Sequence, residues 1–127
     1  MFSLTVRDHV LCAHSLRDPF FGPAQGLHGV TYVVEATWRA RALDEHAVVA
    51  DIGAVSAQLT EALRPLAYAN LDELPEFAGV LTTTEALCRW LAERLAADAP
   101  PHVAAIEVTL REHPDAWASY ALELPGR

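Results

Sequence analysis

One carboxylate, that of Glu112, falls where the sequence otherwise predicts the buried face of a strand. Ile106, Val108 and Leu110 precede it at alternate positions, so a period of two places all four side chains on one face. Burying an ionised carboxylate is costly unless hydrogen-bond donors meet it. Three readings follow: the strand reaches solvent at Glu112, an arginine pairs with it, or the carboxylate is held for a ligand with two adjacent N–H donors.

Histidine and cysteine side chains on the first two predicted strands could bind a metal. Cys12 and His14 share one face of the first strand, and His28 begins the second. Zinc takes thiolate and neutral imidazole, and catalytic zinc sites usually offer three protein ligands. These three residues are therefore a candidate metal site. The alternative is that the histidines are ordinary core or surface residues, hydrogen-bonded without a metal.

Other common kinds of site find no support. The spacing of Ser, His, Cys and Asp does not predict a nucleophilic triad or dyad. The six glycines are scattered along the chain and form no phosphate-binding loop.

Length and composition limit the number of domains and the kinds of partner. A chain of 127 residues predicts one domain, residues 1–127. The net charge is −8 and all nine basic residues are arginine, which disfavours nucleic acid and anionic membranes as partners. Two cysteines, Cys12 and Cys88, are too few for a disulfide framework. The polar residues 7–9 interrupt any signal-peptide pattern, so we expect a cytoplasmic protein.

Four strands and two helices must position the candidate residues. Alternating patterns predict strands over 2–16 (with a bulge near 8–9), 28–42, 103–112 and 116–124, with a Pro- and Gly-rich loop over 18–26. Apolar residues at helical spacing predict one helix from about Val55 to Pro65. A second helix opens with a capping box, Thr82 as N-cap and Glu85 at N3, and ends before Pro100.

This order, ββααββ, predicts an α+β fold in which a four-stranded antiparallel sheet carries two helices on one face. Such a sheet has two exposed edges, which proteins usually cover or pair. We therefore expect self-association that extends the sheet.

The sequence resembles the 6-pyruvoyltetrahydropterin synthase and 6-carboxytetrahydropterin synthase family over nearly its whole length. The resemblance is carried by short motifs in the family's order: 13–14 (Ala-His), 27–32 (Leu-His-Gly-Val-Thr-Tyr), 48–53 (Val-Val-Ala-Asp-Ile-Gly), 70–72 (Asn-Leu-Asp), 75–78 (Pro-Glu-Phe-Ala), 83–85 (Thr-Thr-Glu) and 108–112 (Val-Thr-Leu-Arg-Glu).

The resemblance implies a T-fold, whose subunits join their sheets into a barrel, as trimers that stack into hexamers with active sites between subunits. It also implies that Glu112 anchors the amino-pyrimidinone edge of a pterin. Thr83, Thr84 and Glu85 match positions that line the same pocket. A homo-oligomer, trimer or hexamer, that binds a pterin-like small molecule is the expectation.

The sequence departs from the family at the positions that carry its chemistry. Val30 replaces one of three zinc-binding histidines, Ala24 replaces the reactive cysteine, and Ala67-Tyr68 replaces an Asp-His pair. A zinc site would have to be rebuilt from Cys12, His14 and His28.

These departures leave three readings open. The first is a divergent, lyase-like enzyme that acts on a pterin or related GTP-derived ring by altered chemistry, with Tyr68 or His113 as proton donor. The second is a non-catalytic pterin- or purine-binding module, and the third is a scaffold with an empty pocket.

Overall fold

The four strands form one antiparallel sheet in the order of the chain. The computed structural model describes residues 1–127, with β1 at Phe2–His14, β2 at His28–Ala40, β3 at Val103–His113 and β4 at Ala116–Glu123. The sheet order is β1-β2-β3-β4, and every neighbouring pair is antiparallel. The prediction of the ββααββ order and of the α+β fold is confirmed.

Two predictions about the strands are wrong in detail. β1 and β2 each end two residues earlier than expected, at His14 and Ala40, although Leu16 stays buried. The pairing of β1 with β2 runs unbroken from Phe2–Ala40 to His14–His28, so there is no bulge at 8–9. Asp8 breaks the apolar alternation of β1, and yet its backbone stays in register.

Two helices cover one face of the sheet. The helix α1 (Ile52–Leu63) packs against β1, and α2 (Thr84–Ala97) packs against β3 and β4. A 3-10 turn at Arg64–Leu66 continues α1 around Pro65. The largest fully buried side chains come from both layers: Trp38, Tyr32, Leu59, Leu87, Leu91 and Ile106. Neither helix has the length and apolar character needed to cross a membrane.

The predicted capping box of α2 is wrong by one residue. Thr83 is the N-cap, and its Oγ1 accepts a hydrogen bond from the Ala86 backbone N–H at 3.1 Å. Glu85 therefore does not occupy the reciprocal position of a capping box. The hydroxyl of Thr82 is left for a different partner, described below.

The sheet face away from the helices carries a row of charged and aromatic side chains, which we call the outer-face row. Glu35 on β2 accepts hydrogen bonds from Arg7 on β1 at 3.0 Å and from Arg111 on β3 at 2.6 Å. The Arg111 guanidinium also lies over the ring of Trp117 on β4, at 4.4 Å from its centroid. This row links all four strands.

The connection between the helices covers part of the sheet edge. The backbone N–H of Tyr68 donates to the Leu11 carbonyl at 2.7 Å, and Ala13 donates to the Ala69 carbonyl at 2.9 Å. Asn70 forms an isolated parallel bridge with Ala13. The later half of β1 is therefore paired on its outer side, whereas β4 has no strand beyond it.

Candidate functional site

The antiparallel sheet brings the end of β1, the start of β2 and the end of β3 to the same side of the molecule. His14 and His28 are direct partners in the β1–β2 register. Their rings meet edge to face, with centroids 4.6 Å apart. We call this side, marked by His14, His28 and Glu112, the histidine end of the sheet.

His14 is buried and held in one orientation. Only 2% of the residue is exposed, and its Nδ1 is hydrogen-bonded to Thr82 Oγ1 at 3.0 Å. Burial lowers the pKa of the imidazole, and the neighbouring His28 lowers it further. The structure therefore favours a neutral His14, whose Nδ1 position is already occupied.

The start of α2 reaches the same place through Thr84. Its Oγ1 lies 3.5 Å from the hydroxyl of Tyr32, and burial raises the pKa of this tyrosine to about 12. The hydroxyl of Thr83 is engaged in the helix cap, and Glu85 is exposed in the first turn. Of the three residues that the resemblance brought in, Thr84 is the one in contact with the buried part of the histidine end.

Glu112 lies at a bulge and does not continue the buried stripe. The β3–β4 pairing shifts between Arg111 and His113, which leaves Glu112 without a partner residue, and its side chain is exposed in the single chain. Of the three interpretations of the sequence, the structure shows the first for the single chain: the strand reaches solvent at Glu112, because the bulge ends the regular alternation. Burial dominates the pKa of His14 and Tyr32, and the negative charge of Glu112 is near enough to raise both.

No arginine of the chain neutralises Glu112. None of the ion pairs within 4.0 Å includes it. The adjacent arginine, Arg111, is drawn to Glu35 in the outer-face row on the opposite side of the sheet. The Glu112 carboxylate is therefore free to accept hydrogen bonds from donors outside the chain.

A polar pair that sequence reasoning did not single out lies beside His14. The Ser15 backbone N–H donates to Asp72 Oδ1 at 3.2 Å, and the Ser15 hydroxyl donates to Oδ2. Burial opposes ionisation of Asp72, but these hydrogen bonds and the nearby Arg17 hold its pKa below the ordinary value. Arg17 Nη2 lies 3.7 Å from the carboxylate. The signal was the matched motif 70–72, which could not reveal the contact with Ser15.

The two proposed proton donors lie apart from one another. Tyr68 is 87% exposed beside the outer edge of β1, with a left-handed φ of 56°. Since β1 and β2 separate it from Glu112 on β3, the two do not meet within one chain. His113 follows Glu112 directly and is exposed. Its Nδ1 accepts the backbone N–H of Asp115 at 3.1 Å, so a neutral His113 carries its proton on Nε2.

The donor set at the histidine end does not fit a three-ligand zinc site. The only three His, Cys, Asp or Glu residues whose ligand atoms all lie within 4.8 Å of one another are Asp44, Glu45 and His46, in an exposed turn. Cys12, His14 and His28 do not gather in this way. Burial raises the pKa of the Cys12 thiol to about 11, so the thiol is protonated at neutral pH when no metal is bound.

The Nδ1 of His14 is hydrogen-bonded to Thr82, and the Gly26 carbonyl lies 2.8 Å from the Nδ1 of His28. Nε2 is therefore the atom that each of these two histidines would offer a metal. Val30, which replaces a histidine in the resemblance, offers no ligand atom.

Comparison with solved structures defines the class of fold. The chain superposes on 6-pyruvoyl tetrahydropterin synthase from Caenorhabditis elegans with a TM-score of 0.82 and 22% identity, over 94% of each chain. The enzyme of the same name from Plasmodium vivax superposes with a TM-score of 0.81 and 16% identity, over 97% of this chain and 98% of that one. A dihydroneopterin aldolase from Burkholderia thailendensis superposes with a TM-score of 0.52 and 13% identity, over 95% of this chain and 88% of that one. The fold is the T-fold.

The family is shown by the sequence itself. The model of the family described as 6-pyruvoyl tetrahydropterin synthase matches residues 3–123. No curated protein sequence is significantly similar to the chain. The chain belongs to the 6-pyruvoyl tetrahydropterin synthase family, a family of lyases.

Proposed function

We propose that the chain is a divergent enzyme of this family that binds a pterin, or a related GTP-derived ring, at the histidine end of its sheet. One observation carries the proposal: the Glu112 carboxylate is at the same end of the sheet as His14 and Tyr32, near enough for its charge to raise the pKa of both, and it has no positively charged partner within 4.0 Å in its own chain. A carboxylate left free in this way accepts two parallel N–H donors well. The amino-pyrimidinone edge of a pterin presents such a pair.

A protein of similar fold supports the class of ligand. The dihydroneopterin aldolase named above is bound to guanine. Guanine and pterins share the amino-pyrimidinone edge, so one carboxylate can recognise either. Thr83, Thr84 and Glu85 would line the same pocket, and the contact between Thr84 and Tyr32 supports this for Thr84.

Tyr68 and His113 are the groups we propose for proton transfer. His113 is next to the anchoring carboxylate and can donate from Nε2. Tyr68 is exposed on the segment that covers the later half of β1, so a second copy packed against this segment would bring it to the site of a neighbouring chain. A homo-oligomer that joins sheet edges, as a trimer or hexamer, is part of this proposal.

Ligand binding by two glutamine variants tests the anchor. The fluorescence of neopterin reports its binding to the protein and to the variant Glu112→Gln. An amide offers one acceptor and one donor where the ring needs two acceptors, so we expect affinity to fall roughly 10- to 100-fold. The control is Glu123→Gln, which removes an exposed carboxylate from the other end of the sheet and should leave affinity unchanged. Equal affinities of the two variants would contradict the anchor.

The alternative function is a non-catalytic pterin- or purine-binding module. It is favoured by the alanines at 24 and 67, which leave the positions of the family's cysteine and aspartate without a reactive group. Neopterin, biopterin and dihydroneopterin triphosphate are each mixed with excess protein and analysed by chromatography. New products support the enzyme, bound but unchanged rings support the module, and the absence of binding would leave a scaffold with an empty pocket.

A further inference from the structure

We propose that the ring bound at the histidine end carries no phosphate groups; this inference rests on the proposed function and narrows its substrate class. A phosphorylated side chain needs arginine, lysine or free backbone donors around it. The chain has no lysine and nine arginines. The positions and partners of these nine decide the question.

Six of the nine arginines are already paired with a carboxylate. Each has a guanidinium nitrogen within 4.0 Å of a carboxylate oxygen of the same chain: Arg7, Arg17, Arg39, Arg64, Arg89 and Arg111. A phosphate would have to compete for them with the partner that is already in place.

The remaining three arginines lie at the opposite end of the sheet. Arg41 and Arg127 line one cavity there, together with Glu123 beside the end of β4. Arg94 belongs to the last turn of α2 and has its guanidinium over the ring of Trp90, 4.6 Å from the centroid. None of the three is placed to reach a ligand held by Glu112.

The histidine end itself is acidic. Glu112 and Glu85 are exposed there without a cationic partner, and Asp72 takes up the charge of Arg17. The start of α2 is the one backbone feature that could attract an anion. Its Ala86 N–H is satisfied by Thr83, and Glu85 adds a negative charge to its first turn.

A neighbouring copy of the chain would not reverse this balance. Each copy contributes a net charge of −8. The arginine closest to Tyr68 along the chain, Arg64, is held by Glu61 at 2.8 Å. A triphosphate, with roughly three to four negative charges at neutral pH, would therefore be repelled at the site.

Two ligands that differ only in phosphate test the proposal. Neopterin and neopterin triphosphate are titrated against the protein at about 0.05 M and about 0.5 M NaCl, conditions of weak and strong screening. We expect neopterin to bind at least about tenfold more tightly at low salt, and the difference to shrink at high salt. Equal or tighter binding of the triphosphate, or a triphosphate affinity that falls with salt, would overturn the inference.

The outcomes separate this inference from the function on which it rests. Failure of both ligands to bind overturns the proposed function and the inference with it. Tight binding of both overturns the inference alone and leaves the pterin site standing.

Two variants test the part assigned to Arg17. Arg17→Ala should leave the weak binding of the triphosphate unchanged, because the guanidinium lies 3.7 Å from the Asp72 carboxylate, which offsets its charge; a further loss would make Arg17 a phosphate contact and contradict the inference. Asp72→Asn frees Arg17 and removes one negative charge. The ratio of the affinity for neopterin to that for neopterin triphosphate should therefore fall at least about threefold. Glu123→Gln makes the same change of charge at the far end and should leave that preference unchanged.

Discussion

The availability of Glu112 depends on where its neighbour Arg111 points. A strand alternates its side chains, so Arg111 faces the outer side of the sheet and reaches Glu35 there, while Glu112 is left at the bulge. The free carboxylate is therefore a product of local backbone geometry as much as of residue type.

The role of the Tyr68 hydroxyl can be tested separately from that of its ring. Tyr68→Phe keeps the aromatic ring and removes the hydroxyl that would donate the proton, so we expect turnover to fall at least about tenfold with little change in ligand affinity. Steady-state kinetics, with affinity measured separately by neopterin fluorescence, checks this. The matched control is Tyr120→Phe, which removes a tyrosine hydroxyl from β4 and should leave turnover unchanged. Unchanged turnover in Tyr68→Phe would leave His113 as the proposed donor.

The absence of a third imidazole in register with His14 and His28 predicts the metal content. We expect protein purified without chelators to contain much less than one zinc per chain by elemental analysis. Val30→His adds an imidazole on the helix-facing side of β2, next to His28 and His14, and should raise the zinc content toward one per chain. Val33→His, on the other face of the same strand, should not. A full equivalent of zinc in the unaltered protein would contradict the prediction.

At the scale of the elements, Glu35 joins three strands and gives the sheet a pH-dependent contribution to stability. Hydrogen bonds from Arg111 and Arg7 hold its pKa below the ordinary value of 4.5. A depressed pKa means that the stabilisation is complete above pH 4.5 and is lost as the pH falls through the lower, folded-state pKa.

Urea unfolding of Glu35→Gln measures this contribution. At neutral pH we expect the variant to be less stable by about 1 kcal/mol. The difference should disappear in acid, where the glutamate of the unaltered protein is itself protonated. Glu45→Gln, in an exposed turn, serves as the control. A difference that persists unchanged in acid would show that the amide disturbs packing and not charge.

The elements themselves could be predicted because period two and helical spacing are local signals. The cap of α2 could not, since residues 82, 83 and 84 are all threonine and each is chemically able to cap. What distinguishes Thr82 is its hydrogen bond with His14, 68 residues away in the chain. The bulge at Glu112 was equally hidden, because it depends on how β4 pairs with β3. The resemblance supplied the identity of the anchor, and the fold its surroundings.

At the scale of the whole molecule, the unpaired edge of β4 predicts assembly. Light scattering after gel filtration should give a mass that is a multiple of 13.8 kDa, three or six chains. Of two successive N–H groups on an edge strand, one faces the open side. Of the variants Ser119→Pro and Tyr120→Pro, one should therefore lose the N–H on the open side and give a folded single chain of 13.8 kDa. Ser119→Ala should keep the full mass of the assembly. A single-chain mass for the unaltered protein would contradict the proposed assembly.

The outer-face row has a consequence for such an assembly. In a closed ring the bulky helices must lie on the outside, so Arg7, Glu35, Arg111 and Trp117 of every copy would face the central axis. The salt bridges of this row stay hydrated, because an apolar filling of the ring would leave their polar atoms without partners. The ring would then surround a hydrated channel whose width is set by charged side chains, and ions in the surrounding solution could alter how firmly the copies hold together.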